Sequence, residues 1–381
     1  MKTALYQYQN GQWETHAQSM SLDGPSTQLA LCFSAKDELL NTDVYGLMKE
    51  KFPEAIIAIC STAGEIYHTS VSDEGFSVAA LQFDKTRLQP QKVDIKDYPD
   101  SFAAGKALIN KFDHAGLAYV LVLSDGRYVN GSELVRGINS VTEQKILVTG
   151  GLAGDGGRFE STLVGLNSKP QEGLIVGIGF YGNSLRVEHG SKGGWETFGL
   201  ERVVTRSKDN VLFEIDDKNA LELYKRYLGP DADALPGSAL LYPLSVTLPG
   251  NSEPIVRTIL SVDDQAGSMT FAGDIPVGAK VRFMRANFDK LTSAASDAAT
   301  QSSSLNGQTP AAFSLLISCV GRKMVLGSRT EDEVDAVDEV FKHNTLLSGF
   351  YSYGEISPLI KGEGCQLHNQ TMTITTFHEA E

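Results

Sequence analysis

Residues 117–123 read LAYVLVL, seven positions without a charge, a glycine or a proline. A run of this kind suits a strand buried on both faces, since a half-exposed strand would alternate apolar with polar. Residues 101–112 precede it with helical spacing, and 145–148 (KILV) follow as a second apolar run. Further upstream, 28–34, 55–60 and 76–83 are strand-like, and 35–52 is helical up to Pro53. Strands alternating with helices predict an α/β class with mixed sheets.

From residue 161 the pattern changes. Residues 161–166, 173–181, 185–189, 201–206 and 211–215 read as successive strands with short turns, an antiparallel meander. Residues 218–227 are helical, and GPDADALPG at 229–237 breaks the chain. The last third has strands at 238–242, 253–262, 268–272 and 280–284. A helix at 287–302, a buried strand at 312–318, an acidic helix at 331–343 and a strand pair within 365–377 follow. The expectation is two α/β lobes joined by the meander, divided as 1–27 (a polar extension), 28–228 and 229–381. TAGEI at 62–66 echoes SYGEI at 352–356. Ligand crevices of open α/β sheets lie at the carboxyl ends of strands, so a ligand cleft is expected at or between the lobes, near these two turns.

The 381 residues carry 33 basic and 47 acidic side chains, a formal charge of -14. With no basic run, neither nucleic acid nor an anionic membrane is an expected partner. No apolar run is long enough to cross a bilayer, and the first thirty residues lack an apolar signal core. Cys32, Cys60, Cys319 and Cys365 are scattered, which suits reduced, buried thiols and a cytoplasmic location.

Two glycine motifs invite a nucleotide reading. GIGFYG at 177–182 matches GxGxxG, but a strand-like segment follows it where a helix is required. GGLAGDGG at 150–157 follows a strand, so it suits a backbone nest lining a pocket or a flexible connection. No nucleophile elbow or HExxH is present, and no enzyme activity is expected. Among the seven histidines, His189 stands out. Strand alternation directs Leu185, Val187 and His189 to one face. An imidazole so placed is either a satisfied core histidine or an axial ligand of a buried haem, with Trp195 and Phe198 as flat walls and Arg186 and Lys192 at the rim. His368 is the next candidate ligand.

Six motifs in order carry a family resemblance: CSTAGEI at 60–66, GGLAGDG at 150–156, GWETFG at 194–199, SCVGR at 318–322, GFYSYGEISP at 349–358 and LHNQT at 367–371. Together they resemble the FIST sensory family, covering its N-terminal and C-terminal modules. The resemblance implies a bacterial or archaeal signal-input protein. A stand-alone subgroup that it resembles binds haem, senses nitric oxide and regulates a separate histidine kinase. For this chain that implies haem b and a kinase partner, with His189 as the ligand on the strand argument above. The alternative is a FIST sensor of a small ligand such as an amino acid, held by Ser61, Thr62, Glu65, Arg322, Tyr353 and Glu355. A small-metabolite enzyme is the remaining reading.

Overall fold

A computed structural model describes residues 1–380 apart from 17, 21, 144, 236, 304–310 and 361. The α/β class with mixed sheets holds, and the α/β part divides into three related units, one more than the two lobes expected. Each unit is a parallel strand pair joined through helix, with a third strand antiparallel to the first. In unit 1, Leu29–Ala35 pairs with Ile56–Thr62, and Phe76–Gln82 lies on the other side. In unit 2 the same places are taken by Leu117–Ser124, Leu147–Leu152 and Leu174–Tyr181. In unit 3 they are taken by Phe313–Cys319, Leu346–Ser352 and Met372–Glu379.

The units interlock in a cycle. After each second strand the chain leaves its own sheet and adds a short strand to a neighbour's. Glu65–Tyr67 of unit 1 pairs with unit 3, Gly354–Pro358 of unit 3 pairs with unit 2, and Val164–Leu166 of unit 2 pairs with unit 1. The strands that follow the third strands do the same. Arg87–Asp94 passes from unit 1 to unit 2, and Leu185–Lys192 from unit 2 to unit 3. The matching place on unit 1 is filled by the N-terminal strand Lys2–Gln9.

This arrangement explains the apolar runs. One face of each sheet points to a shared interior, where Phe33, Leu121, Phe180, Leu315, Phe350 and Phe377 pack together. The other face is covered by helices. Met48 and Phe52 cover unit 1, and Leu134, Ile138, Val334 and Val337 cover units 2 and 3. All four cysteines are free and buried in these layers. Burial pushes the Cys365 thiol up to about 12.

The expected meander is shared among four bodies: one strand each to units 1, 2 and 3, and the rest to an inserted β-domain. That insert is an eight-stranded antiparallel sheet in which Glu196–Lys208 is the long strand. Its path ends on Ile255–Arg257 and Ile259–Asp263, separated only by Thr258, so the sheet curls back on itself. Helix Ala220–Leu228 fills it with Leu221, Tyr224 and Leu228. The expected boundary at Gly229 falls inside this insert, between that helix and strand Leu244–Thr247. No helix among the described residues is long and apolar enough to cross a membrane.

Candidate functional site

The second parallel strand of each unit ends in the same four-residue turn. Thr62-Ala63-Gly64-Glu65, Leu152-Ala153-Gly154-Asp155 and Ser352-Tyr353-Gly354-Glu355 begin opposite Ala35, Ser124 and Cys319 respectively. Only two of them were visible as an echo in the sequence. The three turns meet. Ala63 N–H donates to Tyr351 O at 2.8 Å, Gly154 N–H to Ser61 O at 3.0 Å, and Tyr353 N–H to Leu152 O at 3.1 Å. Carboxyl ends of all three parallel pairs therefore converge.

Each turn buries one acid, and the three differ in their partners. Asp155 accepts from the N–H groups of Phe159 (2.9 Å), Glu160 (3.2 Å) and Ser161 (3.1 Å), and from the Tyr353 hydroxyl. Lys36 Nζ lies 3.5 Å away. Burial alone would raise this carboxyl, but the Tyr353 hydroxyl and the three N–H groups outweigh it and hold it below its ordinary value. Glu355 accepts from Ser352 Oγ at 2.7 Å and from Thr371 Oγ1 at 2.8 Å and N–H at 3.1 Å. Burial nevertheless pushes it up to about 8. Glu65 accepts from Thr62 Oγ1 through one oxygen, while Oε2, buried, has no partner among the described residues. Burial pushes Glu65 up to about 8 as well.

A cleft of about 500 Å³ opens over Glu65. Its walls come from Ala35 at the end of the first strand, Lys36 and Asp37 at the start of the following helix, the unit 1 turn, the segment from Asp155 to Arg158, and helix Val320–Leu326 with Lys323 and Met324. Three cations, Lys36, Arg158 and Lys323, face three carboxylates, Asp37, Asp73 and Asp155. Arg158 Nη1 is 2.8 Å from Asp37, and Lys323 Nζ donates to Ala63 O at 2.9 Å and to Asp73. Gly64 is required here, because its φ is +142° and a Cβ would lie 2.6 Å from Lys323 Nζ. A second hollow of about 380 Å³ lies behind the same segment. There Phe159 stacks on Tyr353 at 4.5 Å, facing Leu260 and Thr270 of the insert.

Of the expected ligand set, Thr62 and Glu65 line the cleft and Tyr353 lines the hollow behind it. Ser61, Glu355 and Arg322 do not line the cleft. Ser61 Oγ bridges Gly154 O and Leu163 N–H, both at 2.8 Å. Arg322 is fully buried against Glu333. Sequence reading missed Lys36, Asp155, Arg158 and Lys323 as a group, since they come from three distant segments. The glycine-rich motif at 150–157 was the available signal; the N–H groups that hold Asp155 come from residues 159–161, just beyond it.

The expected haem set is not gathered around one cavity. His189 is 5% exposed and shares its strand face with Leu185, toward the shared interior. Trp195 packs with Met284, Leu291 and Leu326 and donates its Nε1–H to Gln370 O at 3.0 Å. Phe198 packs with Tyr227 and Phe283 in the insert. Arg186 and Lys192 are exposed. His368 is buried, with Nε2 2.9 Å from Ser357 O, and burial pushes it down to about 4, with Arg257 and His189 adding to the effect. The walls and rim expected for a haem therefore do not surround His189 as placed.

The fold and cleft define a cyclic three-unit α/β protein with a small polar site where its strand ends meet. The chain belongs to the FIST family: the FIST N domain matches residues 28–218 and the FIST C domain residues 220–358. FIST domains are sensory domains of signalling proteins and bind small ligands. No curated protein sequence matches. Among solved structures, the chain is similar to a cyanuric acid hydrolase from A. caulinodans. The identity is 9%, covering 95% of this chain and 92% of that chain at a TM-score of 0.34, a likeness too low to carry any argument.

Proposed function

We propose that this FIST protein is a non-catalytic sensor whose small ligand occupies the cleft over Glu65, and that occupancy changes its affinity for a separate histidine kinase. The carrying observation is the unpartnered, buried Oε2 of Glu65 beside Lys36, Arg158 and Lys323. With Glu65 protonated, the three cations of the cleft balance Asp37, Asp73 and Asp155, which suits a zwitterion such as an amino acid. The ligand carboxylate would meet Lys323 or Arg158, and its ammonium would meet Glu65. A ligand shifts the kinase-binding equilibrium only through differential binding to the two states.

The ammonium would stabilise ionised Glu65, which is otherwise protonated below about pH 8. Binding at pH 7 should therefore release a proton, and the calorimetric heat should vary with the ionisation enthalpy of the buffer. An amino-acid panel read by melting temperature identifies the ligand. Lys323→Met should weaken it about 10–100-fold, the worth of one charge-assisted hydrogen bond, and Glu65→Gln should abolish proton release. Absence of any stabilising amino acid, or unchanged affinity in both variants, defeats the amino-acid reading. Turnover of the bound compound would replace the sensor with an enzyme.

The finer alternative is haem b, which His189, or failing it His368, would hold, with nitric oxide as the signal sensed. It is supported by the family resemblance and by two buried imidazoles, His189 and His368, close enough to influence each other electrostatically. It predicts a Soret band at one haem per chain that shifts with nitric oxide and is lost in His189→Ala. No stoichiometric haem uptake by the wild type eliminates it.

A further inference from the structure

The hollow of about 380 Å³ differs in kind from the cleft over Glu65. Tyr128, Phe159 and Tyr353 line it from the α/β part, and Leu260 lines it from the insert. Three of these large hydrophobic side chains are exposed: Tyr128 at 56%, Leu260 at 41% and Phe159 at 36%. Gathered in one concavity, such groups mark a binding site, whereas scattered ones are ordinary. Phe159 is also held in costly backbone. Its φ of +58° lies in the left-handed region, where a bulky residue is an outlier. Asp155 fixes it there by accepting the Phe159 N–H at 2.9 Å and the Tyr353 hydroxyl. The two rings stack at 4.5 Å with their planes 20° apart, so one carboxylate sets an aromatic platform. Arg127 is the one charged residue among the described residues that line the hollow. Its guanidinium is exposed and has no carboxylate partner among them.

We propose that this hollow is a second binding site, for a small aromatic carboxylate of one or two rings. The ligand ring packs on Phe159 and Tyr128, and its carboxylate meets Arg127. Flat rings gain from stacking and edge contacts beyond the area they bury. A guanidinium matches a carboxylate with two parallel hydrogen bonds. No acidic side chain lines the hollow, so an anion meets only the Arg127 charge there. Elsewhere the formal charge of -14 disfavours an anion, which makes this concavity selective. A zwitterion suits the Glu65 cleft because charges of both signs line it; the hollow lacks the carboxylate that an ammonium would need. The two cavities therefore take different ligands on opposite sides of the segment that Asp155 holds.

The test is calorimetry of the full chain with 2-naphthoate, and with 2-naphthamide as its neutral counterpart. The wild type should bind one 2-naphthoate per chain with a Kd below about 1 mM. Arg127→Met should weaken 2-naphthoate about 10–100-fold, the worth of a charge-assisted hydrogen bond, and leave 2-naphthamide unchanged. Phe159→Ala should weaken both compounds about 10-fold. Lys323→Met, in the other cleft, should leave 2-naphthoate affinity as in the wild type. Arg127 is exposed, so its replacement keeps the test valid if Phe159→Ala folds poorly. A wild type without saturable 2-naphthoate binding overturns the site. So does an affinity unchanged by Arg127→Met, or unchanged by a folded Phe159→Ala. Binding lost in Lys323→Met overturns it too, because the compound then sits over Glu65.

Discussion

Replacing Arg322 with methionine should destabilise the protein by about 3–5 kcal/mol, the usual cost of breaking a buried ion pair from one side. Arg322 and Glu333 are both fully buried, with Nε and Nη2 at 3.0 and 2.7 Å from the same carboxylate oxygen. Arg322 also donates to the backbone oxygens of Leu291 and Gly193, drawing the helix at Leu291 and the turn at Gly193 against unit 3. Removing the guanidinium leaves Glu333 charged in an apolar layer with only Ser318 Oγ and Tyr351 OH as donors. The double variant Arg322→Met, Glu333→Leu should recover about half of the loss or more, because the desolvated charge is gone. Urea unfolding of the wild type and the two variants measures this. A single variant within about 1 kcal/mol of wild type would mean that the pair contributes nothing beyond its packing.

The second large effect is expected at Glu379, and it depends on pH. The Glu379 carboxylate accepts from the N–H groups of Asp84 (2.6 Å), Lys85 (2.8 Å) and Thr86 (2.7 Å) and from Thr86 Oγ1 (2.7 Å). The N-terminal ammonium is 3.5 Å away. Burial alone would raise this carboxyl, but the donors prevail and hold it at about 2. Because the folded value lies below the unfolded one, the stabilisation is complete above about pH 4.5, declines as pH falls, and is gone below about pH 2. Allowing for solvent screening, it amounts to about 2 kcal/mol. Glu379→Gln should therefore lower stability by that amount at pH 7 and by nearly nothing at pH 2. A difference of equal size at both pH values would show that shape, not charge, matters at this position.

The buried strands were legible because burial on both faces leaves a continuous apolar signature. The run at 117–123 becomes strand Leu117–Ser124. Helix 287–302 becomes Phe288–Ser302, with Asn287 as its cap. The single helix expected over 35–52 is two, Lys36–Asn41 and Val44–Lys51, because Thr42 is extended and Asp43 accepts from Gly46 N–H to start the second. Pairing across units was not legible. Strands 164–166, 174–181 and 185–192 are sequence neighbours that join three different sheets, and nothing in their side chains names a partner. The third turn was hidden because Leu152 replaces the hydroxyl residue and Asp155 the glutamate. His68 and His343 are far apart in sequence, and only the folded chain brings both to Asp338.

The lent strands make the covalent order of the chain nearly irrelevant to its mechanical order. Met1 and Glu379 meet where a continuous backbone would run from Met372–Glu379 into Lys2–Gln9. In this sense the three units close into a hoop at that point. A cut at another exposed loop, with the present ends spliced by a short linker, would preserve every lent strand. Force applied at Met1 and Glu379 would act first on Lys2–Gln9, paired with Phe76–Gln82, and on Met372–Glu379, paired with Phe313–Cys319 and with the strand Leu185–Lys192 lent by unit 2.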